Sequence, residues 1–110
     1  SVYNMTVREN QMEKSLSLAL SGAMNRYYEP NMYIVDKKPV SSYDVEKAVV
    51  EDINERLTAG GTAIATVYVC DMEKGIISAG IEEEFKLPTG VTKKISCKKT
   101  IVADQPMEDN

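Results

Sequence analysis

The chain has no histidine and no tryptophan, a single phenylalanine and two cysteines among its 110 residues. Each scarcity removes some chemistry. Without imidazole there is no ordinary general base near neutral pH, no partner to activate a serine or cysteine nucleophile, and nothing to complete a mixed zinc site. Cys70 and Cys97 match no metal spacing on their own. Positive charge is also in short supply: 13 Lys and Arg stand against 17 Asp and Glu, for a net charge of -4 and a pI of about 4.8. Nucleic acid is therefore not an expected partner, because its phosphates call for a basic patch. No apolar run approaches the ~20 residues that span a bilayer. No stretch combines the basic start, apolar centre and small-residue exit of a secretory signal. An initiator methionine is missing as well. The chain opens on Ser1 and enters an amphipathic pattern almost at once, which leads to the expectation that it is cut from a longer parent.

The remaining composition is that of an ordinary globular protein, 43% hydrophobic and 27% charged, at a length that suits one domain over residues 1–110. Glycine and proline are few and so mark the breaks. From about Asn4 to Tyr27, the residues Met5, Met12, Leu16, Ala19, Leu20, Ala23 and Tyr27 recur at helical spacing, with Arg8, Glu9, Glu13 and Lys14 mostly off that face. Pro30 ends this helix. A loop is expected over Asn31–Ser42, with a short extended piece at Met32–Val35. A second helix is capped by Ser41 or Ser42, buries Val45, Ala48, Val49, Ile53 and Leu57, and stops at Gly60-Gly61.

Beyond Gly61 the period changes to two. Strands are expected at Thr62–Asp71, Gly75–Leu87 and Val91–Ala103, joined by turns at Met72–Gly75 and Pro88–Gly90. The predicted inner face carries Ala65, Val67, Val69, Ile77, Ala79, Ile81, Phe85, Ile95, Cys97 and Ile101. The predicted outer face carries Thr66, Ser78, Glu82, Glu84, Lys94, Ser96 and Lys98, with Cys70 also on that side. Such a sheet needs a cover. The expected fold class is therefore α+β: a long N-terminal helix and a second helix packed on one face of a three-stranded antiparallel meander, α-α-β-β-β. A polar, flexible tail is expected over residues 104–110.

The groups that could carry chemistry have plainer readings. Glu82 and Glu84 point one way from a strand and Glu83 the other, so the three acids do not converge. A turn centred near Thr89 sets Glu84 opposite Lys94, with Glu82 diagonal to Lys94 and Lys98, as register-setting ion pairs. The two cysteines fall on different faces and on non-adjacent strands, which favours separate thiols. Asn4-Met5-Thr6 fits a glycosylation acceptor that arises often by chance. Tyr3, Tyr27, Tyr28 and Tyr33 read as amphipathic packing, and Tyr3 also suits the point where a membrane helix meets water. No catalytic, cofactor-binding or metal-ligating residue is assigned.

The segment Tyr3-Asn4-Met5-Thr6-Val7-Arg8-Glu9-Asn10-Gln11-Met12-Glu13, continued by Leu16-Ser17-Leu18-Ala19-Leu20-Ser21-Gly22-Ala23, resembles the amphipathic second half of a type IV pilin helix. The small-residue run after a polar stretch is similar to the segment adjoining the membrane anchor in TadE-like minor pilins of tight-adherence pili. That resemblance implies a non-catalytic, extracytoplasmic domain of a membrane-anchored protein at the bacterial cell surface. Its partners would be subunits of a surface assembly or further copies of itself, and its tie to the membrane a missing N-terminal anchor. It transfers no functional residue and no cofactor. The competing expectation is a soluble intracellular α+β module that binds a ligand between helices and sheet or regulates a partner. A small enzyme built on Asp36, Asp44, Glu51, Asp52 and Glu55 is a further reading; it would need a carboxylate pair or a lysine with a displaced pKa.

Overall fold

In this computed structural model, residues 2–28, 41–57 and 62–103 are described, with side chains from Thr6 onward. The elements run α1 (Val2–Tyr27), α2 (Ser42–Arg56), β1 (Thr62–Asp71), β2 (Ile76–Lys86) and β3 (Thr92–Val102). The strands form one antiparallel sheet in the order β1-β2-β3, and both helices contact it. The expected α+β meander is the fold. The loop Asn31–Ser42 lies outside the described residues up to 40, as do the Gly60-Gly61 stop and the tail.

α1 presents the stripe its sequence spells: Met12, Leu16, Ala19, Leu20 and Ala23 are buried, joined by Met24. Small residues in that stripe let the helix lie close to its neighbours. α1 packs over β2 and β3, while α2 packs over β1 and along α1. α2 begins at Ser41, whose extended backbone and side-chain oxygen, accepting from the Asp44 N–H at 3.1 Å, form the N-cap. Its buried face is Val45, Val49 and Ile53; Ala48 and Leu57 are half-buried. Ile77, Ala79, Ile81, Phe85 and Ile95 supply the sheet's share of the core, closed at one end by Met72 and Ala103.

Two turns fix the register. After β1, the Asp71 carboxylate accepts from the Glu73 and Lys74 N–H groups at 3.1 and 3.0 Å. Gly75 then takes φ 70, and its carbonyl accepts from Ala103 N–H at 2.7 Å. After β2, Leu87 N–H donates to the Val91 carbonyl at 2.8 Å and Gly90 takes φ 88. The second turn is centred on Thr89, so Glu84 stands opposite Lys94 as expected.

One stretch departs from strict alternation. The β1–β2 register shifts between Val67 and Val69. A bulge inserts an extra residue and reverses the facing of everything after it. Val69, expected inside, is therefore exposed, and Cys70, expected outside, packs against the core.

Candidate functional site

The inner face of β2 reads Ile77, Ala79, Ile81, Glu83, Phe85, so alternation drives an acidic side chain into the core layer. Glu83 is only 7% exposed. A buried carboxylate needs a cation and hydrogen bonds, since its desolvation is otherwise uncompensated. Arg8, on the first half of α1, supplies both: its guanidinium donates to Glu83 Oε1 at 2.6 Å and sits 4.4 Å from the centroid of the Phe85 ring. This junction ties α1 to the middle strand. The sequence reading missed it. The available signal was Glu83 itself, the one charged residue at an inward position of β2, together with the nearest cation on the covering helix.

The expected concave gap between helices and sheet is largely filled by the core. Two open clefts flank it. One is lined by Arg8, Gln11, Lys14 and Ser15 of α1 with Arg56, Ala63 and Glu83. The other lies between α1 and α2, around Gly22, Arg26, Glu51, Asp52 and Glu55. In these clefts Arg8 is engaged by Glu83, and Arg56 by Asp52 at 2.8 Å. Of the scattered carboxylates, Asp44 lies beside the α2 cap, Asp52 holds Arg56, and Asp36 lies outside the described residues. Among the described residues no group of three or more Cys, Asp and Glu converges to hold a metal, and no buried side-chain nitrogen or oxygen lacks a hydrogen-bond partner.

The sheet's outer face is open. Ile64 and Tyr68 project from β1, 61% and 55% exposed. Tyr68 leans over Gly80, where a Cβ would press on the ring at 3.0 Å, and Lys98 Nζ stands 4.4 Å from the ring centroid. Farther along, Thr100 donates to Ser78 Oγ at 3.0 Å, and Lys94 reaches Glu82 diagonally at 3.8 Å. The expected cross-strand charge pairing is thus realised through Glu82, while Lys98 serves the aromatic ring.

The sheet's two edges differ in kind. β1 carries no charged residue from Thr62 to Cys70, whereas β3 carries Lys93, Lys94, Lys98 and Lys99. Among the described residues no strand pairs with the outer side of either.

The thiols are free. Burial raises the pKa of Cys70 above its ordinary value, helped by the negative charges of Glu46 and Asp71. Burial likewise raises Cys97, with Glu13 adding to the effect and Lys99 opposing it. Neither thiol is set up as a nucleophile, which needs a depressed pKa. Tyr27 and Tyr28 pack on the core margin. The Asn4-Met5-Thr6 tripeptide lies within α1, and the side chains of Tyr3 and Tyr33 fall outside those described. No helix among the described residues is long and apolar enough to cross a membrane.

No family profile, curated protein or solved structure matches the chain.

Proposed function

We propose that this chain is a non-catalytic extracytoplasmic domain of a membrane-anchored, pilin-like surface-assembly protein, working through protein–protein contacts. The observation that carries this reading is where unsatisfied capacity lies. The described interior answers its own polar groups, while the outer sheet face offers apolar side chains and the β1 edge, among the described residues, backbone that no strand pairs. Surfaces of that kind dock proteins. In this reading α1 is the spine that holds the sheet away from the membrane, and the Arg8–Glu83 junction fixes the sheet on that spine. The tie to pilin-like and TadE-like proteins rests on the pattern of the first helical segment.

The test is cell fractionation of the natural protein combined with protease treatment of intact cells. Recovery with membranes, and digestion by protease added outside, is the expected result. Recovery in the cytosolic fraction, protected until lysis, overturns it.

The open cleft, where Lys14 stands near Arg8 and Arg56 already paired with Glu83 and Asp52, supports a second reading, a soluble intracellular module that binds a small ligand there. Cytosolic recovery together with a thermal shift on addition of small carboxylates or phosphates would select it.

A further inference from the structure

We propose that β1 is the seam of a two-fold homodimer, in which two copies pair antiparallel, β1 against β1, and their sheets continue as one layer of six strands.

The first argument is charge. An exposed strand edge invites pairing, and lysines are a common means of blunting it. β3 is guarded in this way and β1 is not. The second argument is self-complementarity, which commits the seam to a second copy. In a two-fold antiparallel pair centred on one residue, that residue faces its own equivalent, and those on either side face each other's equivalents. Centred on Thr66, β1 sets Ala65 against the second copy's Val67, and Ile64 reaches the margin of the bulge at its Tyr68. No like charges meet. The same operation on β3, centred on Ser96, would set Lys94 against Lys98 and Lys93 against Lys99, which is repulsive throughout. The third argument is apolar surface. Ile64 and Tyr68 are more than half exposed on the outer face, and α2 leaves Ala63, Ala65 and Val67 half-buried on the inner face. Pairing gives the inner row cross-strand neighbours and covers Ile64 on the outer side. The bulge between Val67 and Val69 sets the limit of the regular seam.

The proposal deepens the assembly reading by naming an edge and its occupant, but it does not depend on cellular location. Solution mass tests it separately from fractionation. Light scattering of the full chain from micromolar to millimolar concentration should rise from the 12.2 kDa monomer to twice that mass. Thr66 is exposed, so Thr66→Lys and Thr66→Glu should keep the circular dichroism of the parent. Each should weaken self-association by about tenfold or more, because like charges then face each other at the centre. An equimolar mixture of the two should restore the dimer. If a charged variant does not fold, Thr66→Cys decides: oxidised glutathione should link two chains through position 66, since the centre of the pair brings its Cα atoms within disulfide range. A parent chain that stays monomeric at millimolar concentration, a dimer unaffected by both charges, or a cross-link that avoids position 66 overturns the proposal.

Discussion

Glu83 and Arg8 show what one misplaced charge demands of a small core. Removing the arginine leaves a carboxylate at an inward position of the middle strand with no cation to answer it. Arg8→Ala should therefore cost about 2 kcal/mol in a denaturant titration, below the range for fully buried pairs because the Arg8 side chain is 30% exposed. The double variant Arg8→Leu with Glu83→Leu should recover much of that loss, since two apolar side chains suit the site. A double-mutant cycle measures the coupling. The thiols lend themselves to a second test. A folded-state pKa raised above the unfolded value means that the native state keeps its proton longer. The stabilisation is then present below the ordinary thiol value of 9.0 and is lost as pH rises past it toward the folded values. Unfolding midpoints should fall on the alkaline side, less steeply in Cys70→Ser with Cys97→Ser. Alkylation at pH 8 should be slower than for a free peptide thiol.

At the scale of elements, the turns divide into crowded and open. Gly75 and Gly90 share a left-handed backbone, but a Cβ on Gly75 would meet Ala103 Cβ at 2.7 Å and the Tyr28 ring at 2.9 Å, whereas one on Gly90 meets nothing within 4 Å. Gly90→Ala should cost only the conformational term, about 1 kcal/mol. Gly75→Ala should cost clearly more, because Tyr28 and Ala103 must also move. Thermal unfolding of the two variants side by side checks the order. The elements themselves were legible because their signals are local. The α1 stripe from Met12 to Ala23, the Ser41 cap, and a turn centred on Thr89 each arise from spacing or from one residue's chemistry. The bulge was not legible. An alternating string such as Thr62–Asp71 carries no mark of an inserted residue, and only pairing with β2 exposes it. One unseen residue was enough to place Val69 and Cys70 on the wrong faces. The Arg8–Glu83 junction escaped for a related reason: its partners lie far apart in sequence, and only the packing of α1 on β2 brings them together. The open face and unlike edges were partly legible, since the lysines of β3 and the uncharged run of β1 are plain in the sequence. Which strands end up at the edges depends on sheet order.

Taken whole, the molecule is a sheet with one dry side. Both helices precede all three strands, and neighbouring strands are joined by tight turns, so the sheet is assembled from contacts local in sequence. The cover is not local. α1 packs on β2 and β3, which come from the far end of the chain. Hairpins of this kind close quickly, whereas joining the two ends of the chain carries the larger entropic cost.

That separation has a consequence for biogenesis. As the chain leaves a ribosome or a translocation channel, the greasy flank of its first helix emerges early. Only α2 can cover part of it until the last strands are out, because the sheet that completes its packing has not yet been made. For that interval the nascent protein offers Leu16, Leu20 and Met24 to any sticky neighbour. Whatever shelters it then, a holdase or a wall of lipid, acts before any native contact between the two ends can form.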